Sequence, residues 1–126
     1  KKKINKRINM ATLTPTLTLT STDATIDQLS FSVSDSLNIT KAVISPSKVA
    51  LSTGDLTLLA AASYTKAYVY LRNTDDAIAM DIDFGTTLSI QLAAGEFAFF
   101  PWESSQNILA KSASGTPYLE YAVFEA

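Results

Sequence analysis

The chain has 126 residues, 47% of them apolar, only 17% charged, and nearly a quarter Ser or Thr, a mixture that fits one β-rich domain and argues against disorder or a long-helix protein. With neither cysteine nor histidine it can form no disulfide, zinc-thiolate or histidine-zinc site, and it can run neither thiol nor Ser-His-Asp catalysis. Five of the ten basic residues precede Met10 while all twelve acids follow it, so residues 10–126 carry five positive against twelve negative charges, net −7. Such a body repels phosphate backbones and anionic membranes.

The first nine residues, KKKINKRIN, admit three readings. They could form a basic arm making salt-dependent contacts with an acidic neighbour or packaged DNA, or a solvated tail. The third reading comes from codons: Lys6-Arg7-Ile8-Asn9-Met10 can be spelled AAA AGG ATT AAT ATG, a purine-rich ribosome-binding sequence just ahead of a start codon. On that reading, which we prefer, the native protein begins at or just after Met10 and residues 1–9 are an over-extended reading frame; on each of the three, residues 1–11 are a basic N-terminal extension ahead of the domain.

From Thr12 to Thr20, Leu13, Pro15, Leu17 and Leu19 alternate with threonine, the period of a strand. Pro15 cannot donate to a ladder, so the segment is expected to be an edge strand or an extended arm lying on a neighbour. ATLTPTLTLTSTD is not the apolar stretch of a secretory signal, and no apolar run reaches the roughly 18 to 20 residues of a membrane-spanning helix. LSFSVS is a second alternating segment, Asp35-Ser36 a turn, and LNITKAVIS a third strand, which Ser45-Pro46-Ser47 is expected to break. KVALSTGDLTLLAAASYT turns at Thr53-Gly54-Asp55, and its LLAAAS portion fits a short helix, a strand end or a loop.

KAYVYLRN places Tyr68, Tyr70 and Arg72 on one side and Ala67, Val69 and Leu71 on the other, and it ends in the turn residues Asn73-Thr74-Asp75-Asp76. AIAMDIDFG sets Met80, Ile82 and Phe84 against Asp81 and Asp83, so the two segments are expected to form a hairpin with one wet face. LSIQLAAGEFAFFPW predicts two strands around Ala94-Gly95, the second stopped by Pro101. ILAKSA and PYLEYAVFE, joined at Ser114-Gly115, complete the chain. Strands at intervals of about 8 to 12 residues predict a single all-β domain over residues 12–126, a small antiparallel, jelly-roll-like sandwich of roughly eight strands.

No constellation for catalysis or for a cofactor stands out. Asp75, Asp76, Asp81 and Asp83 could offer oxygens to calcium, but they lack the spacing of a calcium loop, and a solvated strand face accounts for the last two. Glu96 with Glu103, or Asp81 with Asp83, are carboxylate pairs without a sign of a cleft. Four glycines, all at turns, leave no phosphate-cradling loop. The aromatics weigh more: Phe97, Phe99, Phe100, Trp102 and Tyr64, Tyr68, Tyr70, Tyr118, Tyr121 cluster in the second half. Period two cannot put all rings of FAFFPW on one face, so Phe100 or Trp102 is expected to project outside the core.

The stretches Tyr68–Thr74, Asp81–Gly85, Leu92–Trp102 and Gly115–Glu125 resemble small virion structural proteins of tailed bacteriophages, marine ones especially. The resemblance implies a non-enzymatic particle component that needs no cofactor, foremost a capsid decoration or cementing protein on the virion surface. Its partners would be the major capsid protein or other virion proteins, and it would be a homo-oligomer, with a trimer favoured. A receptor- or glycan-binding module of a tail or head fibre, and a neck or tail component, are the alternatives. A partner surface is expected to draw on Leu13, Pro15 and Leu17 of the Pro-marked edge and on Tyr68, Tyr70, Phe100 and Trp102. Neither a membrane nor a nucleic acid is expected as a partner.

Overall fold

The computed structural model describes residues 11–126, the side chains of Lys41, Ala42, Val43 and Ser45 excepted, so the three readings of the basic head lie outside the described residues. The chain is all-β with antiparallel sheets, and it divides into two compact units, Lys1–Thr40 and Lys41–Ala126. Twelve strands occur among the described residues, more than the roughly eight expected, in part because the segments expected as single strands at Thr12–Thr20 and LNITKAVIS each divide in two. None of the described residues forms a helix long and apolar enough to cross a membrane.

In the first unit β1 (Ala11–Leu13) pairs with β4 (Leu37–Ile39), and β2 (Thr16–Ser21) pairs with β3 (Leu29–Ser34). The alternating segment expected as one strand is therefore two, interrupted at Thr14-Pro15. The interruption faces Asp35-Ser36 on the return path, where the Asp35 amide donates to the Pro15 carbonyl at 3.2 Å. Proline has no amide of its own to offer, so the ladder gives way at that point.

The second unit holds β5 (Lys41–Ala50), β6 (Leu56–Leu59), β7 (Ala67–Asn73), β8 (Met80–Phe84), β9 (Thr87–Leu92), β10 (Phe97–Trp102), β11 (Ile108–Ser112) and β12 (Tyr118–Glu125). They form two four-stranded sheets, in the orders β10-β7-β12-β5 and β6-β11-β8-β9. The pairing is nested: the first strand of the eight lies beside the last, the second beside the seventh, the third beside the sixth and the fourth beside the fifth. Both sheets supply one hydrophobic core, with Val69, Leu71, Leu119 and Val123 from the first and Met80, Ile82, Ile108 and Ala110 from the second.

Three expectations change here. The strands β7 and β8 do not form a hairpin but lie in different sheets; the Asn73–Ala79 connection crosses between them. Pro46 does not break its strand, since β5 runs through it. This is tolerated because β5 is an edge strand with a bulge: Tyr121 pairs with Ser47 and Val123 with Ile44, so Ser45 and Pro46 together oppose Ala122 alone. Pro101 likewise lies inside β10, the opposite edge, in register with Tyr68. Of the readings open for LLAAAS, the strand end holds: Leu58 and Leu59 close β6, and a turn follows in which Ala62 takes a φ of 61°.

One polar side chain ties the two sheets together. Asn73, fully buried at the end of β7, donates through Nδ2 to the carbonyls of Ile78 (2.7 Å) and Leu92 (3.0 Å), and its Oδ1 accepts from the Asp75 amide (2.9 Å). Asp75 continues the turn, its Oδ2 accepting from the amides of Ala77 (2.9 Å) and Ile78 (2.6 Å). The turn chemistry that the sequence placed at 73–76 is thus the joint between the sheets.

Candidate functional site

In β7 the alternation expected from the sequence holds: Ala67, Val69 and Leu71 are buried while Tyr68, Tyr70 and Arg72 face outward. The register then sets which residues share that outer face, because partners directly opposite across a ladder project to the same side. Phe97 stands opposite Arg72, Phe99 opposite Tyr70 and Pro101 opposite Tyr68. On the other flank Glu120 opposes Arg72, Ala122 opposes Tyr70 and Phe124 opposes Tyr68, and Lys48 of β5 opposes Glu120. Tyr118 belongs to the same parity of β12.

Three strands distant in the chain therefore build one aromatic face. Phe97 is 62% exposed, Tyr118 56% and Phe99 37%. The Tyr68 and Phe99 rings stack at 6.3 Å with 14° between planes, and the Lys66 ammonium lies 5.3 Å from the Tyr68 ring centroid. The Tyr70 hydroxyl donates to Glu120 Oε1 at 2.9 Å. Partial burial, then the neighbouring Glu120 carboxylate, push the Tyr70 phenol above the usual tyrosine range, with Arg72 pulling the other way. Lys48, Lys66 and Arg72 stand around this face, three of the five basic residues of an otherwise acidic body.

The other half of FAFFPW turns inward. Trp102 is only 7% exposed, belongs to the core and meets Tyr64 edge-on at 6.3 Å; Phe100 is half-buried and meets Phe84 edge-on at 5.4 Å. The expectation that Phe100 or Trp102 projects outside the core is corrected: Phe97 and Phe99 project instead. Period two separated the two sets, but only the pairing of β10 with β7 says which set looks out. Of the residues expected at a partner surface, Tyr68 and Tyr70 join the aromatic face and Phe100 and Trp102 lie beneath it. Leu13 and Pro15, both half-buried, and Leu17, which is exposed, belong to the first unit.

An open groove of about 590 Å³ runs along the inner side of β10, lined by Phe84, Phe100 and Trp102 with Lys66, Glu103 and Gln106 at its polar margin. Its size suits a small ligand. It gathers no set of acid, base and nucleophile, since Lys66 and Glu103 are its only ionisable residues.

The four aspartates weighed for calcium are dispersed. Asp75 caps its own turn, and the amides of Ile78 and Ala77 hold its carboxyl below the usual carboxylate range. Asp81 accepts from Gln91 Nε2 at 3.0 Å. Asp83 does not sit on the solvated face the alternation predicts: it is 7% exposed, and its Oδ1 has no hydrogen-bond partner. Among the described residues no three acids gather where a metal ion could be held.

Comparison with family models, curated proteins and solved structures yields no match to this chain.

Proposed function

We propose that this chain is a structural protein of a tailed-bacteriophage particle, a decoration protein that docks on the assembled shell through the aromatic face of β10, β7 and β12. The observation that carries the reading is that face. Its rings leave on the order of 500 Å² of apolar surface open, the upper range for one patch on a monomer and about one partner's share of a roughly 1,000 Å² interface. Strands β7, β10 and β12 are also largely the stretches in which the sequence resembles small virion proteins. The partner is an acidic protein surface, matched by Lys48, Lys66 and Arg72 around the rings, and the role is non-enzymatic.

The nested strand order supports reading the second unit as a jelly-roll sandwich, an architecture that also serves viral capsid and lectin domains. Placement on the virion surface, as a homo-oligomer with a trimer favoured, belongs to the same proposal. The test is co-sedimentation with expanded, DNA-free shells and with unassembled capsid subunits. Selective binding to shells, reduced at least about tenfold by Phe97→Ser with Phe99→Ser, is expected. Equal binding to both, or binding indifferent to these substitutions, overturns it.

A second reading, a glycan-binding module of a fibre, rests on the groove beside β10. Trp102, the ring best suited to stacking on a sugar, is 7% exposed and sits edge-on to Tyr64, which weighs against it. Glycan-array binding lost on Trp102→Ala in a folded variant would restore it.

A further inference from the structure

The β2–β3 ribbon is apolar on one side only. Register pairs Leu17 with Val33, Leu19 with Phe31 and Ser21 with Leu29, while Thr16, Thr18 and Thr20 meet Ser34, Ser32 and Ser30 on the reverse. The Thr18 and Ser32 hydroxyls pair across that reverse side at 3.4 Å. On the apolar side Leu17 is 41% exposed, Leu19 46%, Phe31 47% and Val33 49%. A two-stranded ribbon is marginal in water and needs a third strand or a packed face to stand.

We propose that the apolar face of β2–β3 is a self-association surface, covered by the same face of a second copy of this chain. Charge selects the occupant. Neither strand holds a charged residue, so the face offers nothing to pair with a charged partner and would desolvate that partner's charges without return. Two bodies of net −7 repel each other, and a neutral ribbon is where they approach at least cost. Shape agrees: the bulky Leu19–Phe31 pair neighbours the slighter Leu17–Val33 pair, so a two-fold axis between them sets large against small in both copies.

Area sets the strength. Four half-exposed side chains leave roughly 350 Å² per copy, so face-to-face packing buries roughly 700 Å², short of the ~1,200 Å² at which specific interfaces begin. Association is accordingly weak in dilute solution and rises steeply when copies are held side by side on a common support. This two-fold contact is separate from the contacts of the proposed trimer, joining one copy to a copy of a neighbouring oligomer, and it does not depend on what the second unit docks on.

The test is sedimentation equilibrium of the whole chain from about 5 µM to about 1 mM, comparing wild type, Leu19→Thr with Phe31→Thr, and Phe97→Ser. Threonine keeps strand preference, so the ribbon's backbone is retained. A weight-average mass that rises with concentration in wild type and Phe97→Ser, with association at least about tenfold weaker in the threonine variant, supports the proposal. A wild type that stays monomeric throughout overturns it. Association untouched by the threonine pair, or lost only in Phe97→Ser, overturns it as well and moves the contact elsewhere. A monomeric chain whose melting temperature falls in the threonine variant shows the ribbon covered by its own chain, which also refutes it.

Discussion

Replacing Asn73 by alanine should cost the second unit about 3–5 kcal/mol. The fully buried amide is the sole side chain bonded to both the Ile78 and the Leu92 carbonyls, and it also accepts from the Asp75 amide. Alanine leaves one buried and one part-buried acceptor and one donor without this partner, at about 1 kcal/mol or more each, and opens a small void. That is a large part of the 5–15 kcal/mol typical of a domain. At about 4 °C per kcal/mol for a chain of this size, the melting temperature should fall by roughly 12–20 °C. Trp102, the only tryptophan, is buried in the same core and reports unfolding by fluorescence in a urea titration. Asn73→Asp should be at least as damaging at pH 7, because it aims a carboxylate at two carbonyl oxygens. Thr74→Ala, which removes one exposed hydroxyl donating to the Tyr118 carbonyl, serves as the control and should cost less than about 1 kcal/mol. An Asn73→Ala loss below about 1 kcal/mol with an unchanged urea slope would refute the inter-sheet joint.

Asp83→Val should raise stability by about 1–2 kcal/mol in the same titration, since it removes a buried oxygen that has no partner from a strand position valine favours; a loss of stability would mean the carboxylate is satisfied. Gly85→Ala should cost about 1 kcal/mol from its φ of 67° alone, because the added methyl meets the Gln106 amide at an ordinary 3.6 Å; calorimetry showing no change would count against the strained turn. The Tyr70 phenol is raised in the folded chain, so its contribution is complete below the ordinary tyrosine value of about 10 and is lost as pH climbs through the folded value. Wild type should therefore lose more stability than Tyr70→Phe between neutral pH and strongly alkaline pH, and parallel profiles would contradict this. Phe97→Ser should leave the stability measured in the urea titration within about 0.5 kcal/mol of wild type, because the ring is 62% exposed; a larger loss would make it a structural ring rather than a docking one.

The strand segments and most of the turns were legible in the sequence because they are local. Alternation in AYVYLRN and LSFSVS, the Asn-Thr-Asp-Asp turn and the glycines at 85, 95 and 115 each follow from the geometry of a few neighbouring residues. What each strand pairs with was not legible: β5 meets β12 across the length of the second unit, and β7 and β8 part into different sheets despite adjacency. Pro46 and Pro101 look like strand breaks in the sequence for the same reason. They are harmless only at sheet edges, and being an edge is a property of the sheet.

Composition and periodicity alone determined an all-β chain with an acidic body, no histidine or cysteine chemistry, and an excess of aromatics after residue 64. They could divide Phe97, Phe99 and Pro101 from Ala98, Phe100 and Trp102, yet they could not say which set faces out, because both are apolar and period two has no sign. Tertiary structure made that decision by laying β10 beside β7, so that Trp102 follows Ala67 and Val69 into the core and Phe97 and Phe99 join Tyr68 and Tyr70 outside. It also buried Asp83, which alternation assigned to solvent, and turned Asn73 from a turn former into the joint between two sheets. Burial depends on what lies across the ladder and across the core, and neither neighbour is near in the chain.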